Sequence, residues 1–139
     1  MEPSAPDTLT PRQRRAFAVA RRAAGKVLNR RVRLYQLVRA GYRKAATHED
    51  ALGTATAEVR TLLRLARAWL RREYRSIPWR SLLYAVAALV YFVNPVDLIP
   101  DALVGIGFAD DAAVIGFVVR AIRSDLDRFR TWDQRRLAE

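Results

Sequence analysis

The sequence predicts an all-α protein of about four helices, and three observations lead there. Apolar residues recur at three- and four-residue intervals along two arginine-rich stretches; an unbroken apolar run, Leu82 to Val93, follows them; and no segment alternates apolar with polar residues as a half-buried strand would. With 139 residues, about half of them apolar, the chain can build one modest core. Basic amphipathic helices are expected to pack around or beside a central apolar hairpin.

Four segments follow: residues 1–9 as a disordered N-terminal segment, 10–76 as a basic amphipathic helical region, 77–123 as the apolar helical hairpin, and 124–139 as an amphipathic C-terminal helix extension. The first carries two prolines and no apolar pattern. Met1-Glu2-Pro3-Ser4 does not lead from a basic stretch into an apolar one, so no secretory leader is expected.

Thr10-Pro11-Arg12-Gln13 reads as a helix start, with Thr10 as N-cap, Pro11 at the first helical position and Gln13 completing a capping box. The first helix is predicted to run to about Lys44. Phe17, Ala20, Ala24, Val27, Leu28, Leu34, Tyr35 and Val38 form its apolar stripe, and Arg15, Arg22, Lys26, Arg30 and Arg33 line another face. Gly25 and Gly41 are its weak points.

Thr47-His48-Glu49-Asp50 is a second start signal, because a threonine hydroxyl caps free amides and acids suit the positive end of a helix dipole. A helix is predicted from Ala51 to about Arg75. Val59, Leu62, Leu63, Ala66, Trp69, Leu70 and Tyr74 make its apolar stripe; Arg60, Arg64, Arg67, Arg71 and Arg75 make a cationic one. Ser76-Ile77-Pro78 ends it, since the residue before proline disfavours helical geometry.

Leu82 to Val93 is apolar on every side of the helix it forms. Such a run rises only about 18 Å and falls short of the roughly 20 residues of a simple membrane span. The expectation is a re-entrant or interfacial hairpin. Asn94-Pro95-Val96-Asp97-Leu98-Ile99-Pro100-Asp101 makes its turn, and Gly105 and Gly107 continue the break. A last helix starts near Asp110 and Asp111, buries Val114, Ile115, Phe117, Val118 and Val119, and turns amphipathic through Ile122, Leu126, Phe129, Trp132 and Leu137.

Tyr91-Phe92-Val93-Asn94-Pro95-Val96-Asp97-Leu98-Ile99-Pro100-Asp101, followed by Gly107-Phe108-Ala109-Asp110-Asp111, resembles the signature of the YkvA-like family, small proteins built on a domain of unknown function. The resemblance covers roughly residues 80 to 120 and leaves out the basic helices. It implies a short helical hairpin and membrane association, and supplies no catalytic assignment.

Charge divides the chain sharply. Residues 1–80 hold 19 Lys or Arg against 6 acids, residues 81–119 hold none against 4, and residues 120–139 hold 6 against 4, within a net charge of +11. A cationic body of this kind seeks phospholipid head groups, nucleic acid or an acidic partner. Beside an apolar hairpin, anionic lipid uses both features of one location, with Arg60, Arg64, Arg67, Arg71 and Arg75 as the attracting residues. Cationic flanks around an arginine-free middle agree with both hairpin ends staying on the cytoplasmic side of the membrane, the expected location. A soluble nucleic-acid binder is the third reading, and no recognised motif accompanies the charge for it.

Asp97, Asp101, Asp110 and Asp111 bracket the apolar hairpin with no Lys or Arg inside it to neutralise them. Carboxylates in such a setting are capped, paired, protonated or bound to metal. Hard divalent cations favour oxygen ligands, so a metal-binding module or metal-dependent enzyme is the alternative to helix capping or pairing with flanking arginines. The chain has no cysteine and a single histidine, His48; without a P-loop, dinucleotide fingerprint or Ser-His-acid set, the reading leans away from an enzyme and names no cofactor beyond a divalent cation. The expected activity is docking or regulating another membrane component. A homo-oligomer fits an apolar hairpin with more surface than one small chain covers.

Overall fold

The computed structural model describes residues 10–47, 55–93 and 111–138. Within them the chain is all-helical, with six helices: α1 (Pro11–Leu28), α2 (Arg31–Thr47), α3 (Ala55–Leu70), α4 (Trp79–Val93), α5 (Asp111–Ala121) and α6 (Arg123–Ala138). The expectations for residues 1–9, for His48, Glu49 and Asp50, and for the proline turn lie outside the described residues.

α1 begins as its sequence predicts. The Gln13 amide donates to Thr10 Oγ1 at 3.1 Å, and the Thr10 amide donates to Gln13 Oε1 at 2.8 Å. Gln13 is buried, and this reciprocal pair is where its polar group goes.

One helix to Lys44 was expected, and the structure corrects it. The chain turns at Asn29 and Arg30, where the Asn29 amide donates to the Lys26 carbonyl at 3.3 Å and the Arg30 amide to the Val27 carbonyl at 3.1 Å. Asparagine is a poor interior helix residue because its side chain offers the backbone local alternatives. Gly25 and Gly41 both stay inside helices. Gly41 instead permits close packing: a Cβ there would lie 2.5 Å from Leu63 Cδ2 of α3 and 3.7 Å from Val93 of α4. Thr47 closes α2, its hydroxyl donating to the Lys44 carbonyl at 3.0 Å.

α3 stops at Leu70, short of the expected Arg75. Arg72 takes a left-handed φ of 61°, the Arg72 amide donates to the Trp69 carbonyl at 3.0 Å, and the Glu73 amide donates to the Ala68 carbonyl at 2.9 Å. Together these bonds form a Schellman stop, which satisfies carbonyls that the helix end would leave bare.

α4 is the axis of the molecule. Its Ser81, Leu82 and every residue from Ala85 to Phe92 are buried, and α1, α2, α3 and α5 all lie against it. The sequence expectation of a helix without a solvent face holds, and protein supplies the cover. Each large apolar side chain buried this way contributes about 1.5–3 kcal/mol relative to exposure. The apolar surface of α4 is thus covered by the chain's own helices.

α4 has no basic residue in its last turn. Lys44 reaches across from α2, donating from Nζ to the Phe92 carbonyl at 2.5 Å and lying 5.1 Å from the Phe92 ring centroid. A cation thereby meets the negative end of the α4 dipole.

The expected last helix is two, with a turn at Ile122. Val114, Ile115, Phe117, Val118, Val119, Ile122, Leu126 and Phe129 are buried in the common core. Leu137, expected on the apolar stripe, is 70% exposed, one turn beyond the buried Asp133. The Ser81 hydroxyl donates to the Asp125 carboxylate, tying the start of α4 to the start of α6.

Candidate functional site: an arginine-rimmed groove

α2 carries two stripes. Leu34, Leu37, Val38, Gly41 and Ala45 face the core, while Arg31, Val32, Tyr35, Arg39 and Tyr42 look across to the end of α3. Between the two helices lies an open groove of about 710 Å³. Val38 and Leu70 form its floor, with Tyr42 beside them. Val32 and Tyr35 stand out from the wall, 66% and 54% exposed.

The rim is cationic. Arg31 and Arg39 come from α2 and Arg67 and Arg71 from the end of α3, and no acidic residue among the described residues lines the groove. Arg71 lies 3.6 Å from Glu73; Arg31, Arg39 and Arg67 form no ion pair among the described residues. Beyond the groove's end Arg75 lies over the Trp69 ring, 4.0 Å from its centroid. Desolvation, with the neighbouring charges of Arg72 and Arg31, holds Arg75 below its ordinary value. Like charges are gathered here, and an anion relieves their repulsion.

The predicted stripe on α3 is therefore divided. Arg67 and Arg71 face the groove, whereas Arg64 donates to Asp133 of α6 at 2.9 Å. The Asp133 side chain is only 5% exposed, so this pair fastens α6 to α3. Arg136 adds a second tie, 3.2 Å from Glu73. Arg60 is half-buried earlier on α3. Arg31 and Arg39 were not singled out by sequence reasoning. Their signal is the Arg31, Tyr35, Arg39, Tyr42 spacing, which was obscured by placing Tyr35 on the core stripe of one long helix.

Asp97, Asp101 and Asp110 lie outside the described residues. Asp111 opens α5, close to the expected helix start, and its side chain lies outside them too. Among the described residues no group of three or more His, Asp or Glu could hold a metal ion.

Trp79 opens α4 at 53% exposure. Tyr84 is half-buried, edge-on to Phe17 at 5.3 Å, with Arg21 and Arg80 over its ring at 5.8 and 5.2 Å. Among the described residues no helix is long and apolar enough to cross a membrane.

Fold and groove define a small helical bundle with an apolar central helix and a cationic exterior. A family model described as "Protein of unknown function (DUF1232)" matches residues 81–117, which take in most of α4, residues 94–110 outside the described residues, and part of α5. The chain is 36% identical to the "Uncharacterized membrane protein YkvA" of Bacillus subtilis (strain 168) over 74 residues, covering 53% of this chain and 70% of that protein. The chain belongs to the YkvA-like family. No solved structure matches it.

Proposed function

We propose that this chain is a non-catalytic protein of the membrane surface, held at the cytoplasmic face by anionic lipid, where it docks or regulates another membrane component. The observation that carries the reading is the gathering of Arg31, Arg39, Arg67 and Arg71 around one groove, with no acidic residue in its lining among the described residues. A juxtamembrane arginine contributes about 1 kcal/mol of attraction to an anionic leaflet, so four acting together hold a small protein at the surface. The name of the Bacillus relative, a membrane protein, supports the same setting. The covering of α4 by protein supports attachment without insertion.

Sedimentation with vesicles tests it. The chain is expected to pellet with phosphatidylglycerol-containing vesicles, to stay in solution with phosphatidylcholine vesicles, and to be released by salt as screening shortens the reach of the charges. Arg67→Glu with Arg71→Glu is the chosen variant, because reversing Arg64 would set a second carboxylate against Asp133. Each reversal replaces an attraction by a repulsion, and the pair is expected to lower vesicle affinity by about tenfold or more. Unchanged binding would sink the proposal.

A further inference from the structure

We propose that the groove between α2 and α3 holds a single anionic phospholipid, with an acyl chain along Val32, Tyr35, Val38 and Leu70 and the phosphate met by the arginine rim. This deepens the membrane-surface reading and rests on it for the source of the lipid.

Surface attraction alone does not account for the groove. A purely electrostatic patch needs arginines on a polar surface; here they frame an apolar trough with Val32 and Tyr35 largely in water. Such exposure is unfavourable unless an apolar occupant covers it. The occupant's chemistry follows from the lining: apolar along its length and anionic where it reaches the rim. Three of the four rim arginines lack an ion-pair partner among the described residues, so they are free to donate paired N–H bonds to phosphate oxygens.

Size argues for one small molecule over a partner protein. The volume of about 710 Å³ falls within the roughly 300–1,000 Å³ of small-ligand sites. A stable protein partner covers about 800 Å² on each side, far beyond the few apolar side chains present. Nucleic acid shares the phosphate and can stack bases on tyrosines, but it offers no aliphatic chain for Val32, Val38 and Leu70.

Calorimetric titration of the full chain separates these cases. The probes are a lysophosphatidylglycerol below its micelle concentration, glycerophosphoglycerol as the headgroup without a chain, lysophosphatidylcholine, and a single-stranded oligonucleotide. Saturable one-to-one binding is expected for the first, and about tenfold weaker or no binding for the rest. Val32→Asn with Tyr35→Asn removes the exposed wall and leaves the core stripe intact, with helicity by circular dichroism as the check. This variant is expected to lose lysophosphatidylglycerol by about tenfold while still pelleting with anionic vesicles. Arg39→Gln with Arg67→Gln is expected to weaken both.

Equal binding of the chainless headgroup would reduce the groove to an anion site and overturn the proposal. So would competition by the oligonucleotide, indifference to the Val32/Tyr35 variant, or a dimer in analytical ultracentrifugation that this variant dissolves, which would give the groove to a second copy. Failure of the unsubstituted chain to pellet with anionic vesicles is a separate result, and it would overturn the membrane-surface reading instead.

Discussion

Arg72 sits where a helix stop favours glycine, with a φ of 61° that an L-residue adopts at a cost of about 1 kcal/mol. Its charge joins the arginines near Arg31 and Arg75, so stability and electrostatics pull this position in opposite directions. Arg72→Gly is expected to raise the unfolding free energy by about 1 kcal/mol in urea titration and to lower affinity for anionic vesicles. Two glycines separate helix propensity from packing. Gly25 has nothing within 4 Å of a built Cβ, so Gly25→Ala is expected to stabilise the chain by about 0.5–1 kcal/mol. Gly41 faces Leu63 and Val93, and Gly41→Val is expected to cost about 1–3 kcal/mol. Burial lifts the Tyr74 phenol above its ordinary 10.0, with Arg128 opposing the rise and Asp125 adding to it. The folded chain therefore keeps that proton longer than the unfolded one. Its contribution is present below pH 10 and is lost as pH rises through the folded value, a loss that Tyr74→Phe is expected to remove from an alkaline stability profile.

α4 is capped and α6 fastened by side chains from other helices, and α3 ends in a backbone stop at an arginine, so the sequence shows helix starts better than helix ends. Thr10 and Gln13 cap within one turn, so the capping box was legible. Lys44 caps α4 from far away in sequence, and no local pattern announces it. Lys44→Met is expected to lower stability by about 1 kcal/mol, measured by urea denaturation, through loss of the Phe92 contact and the dipole complement. Arg64, read from its spacing as one member of a lipid-facing stripe, spends its charge on Asp133. Arg64→Ala leaves that carboxylate buried without its partner and is expected to cost about 1–3 kcal/mol, whereas Arg67→Ala, facing the groove, is expected to change stability by less than about 0.5 kcal/mol. The breaks at Asn29 and Ile122 escaped notice because the apolar rhythm passes through both. Periodicity records which face is buried, and a turn that preserves the face leaves it intact.

For the molecule as a whole, the all-α class, the apolar central helix and the family signature could be read from the chain, while the relation between its halves could not. The basic region and the hairpin divide by composition, yet one core runs through residues of all six helices. A helix apolar on every side has the same sequence whether lipid or protein surrounds it; only the fold distinguishes them. The amides of α4 are accordingly expected to exchange with solvent more slowly than those of α2 or α6 in native-state hydrogen exchange. In cells, high salt is expected to release the protein from a membrane pellet; retention through both salt and alkaline carbonate would show that α4 had left the bundle for lipid.

The order in which the helices leave the ribosome gives the central position of α4 a further meaning. α1, α2 and α3 all precede α4 in the chain, and domains form from the N-terminal side as synthesis proceeds. When the most apolar segment emerges, the chain of three of the four helices that will enclose it has already been made, and only α5 is still to come. A nascent segment that would attract the insertion machinery thus emerges with most of the chain of its protein cradle already made. Moving α4 ahead of α1 by circular permutation keeps every side chain and reverses that order, so its destination during synthesis becomes a contest between lipid and a cradle not yet made.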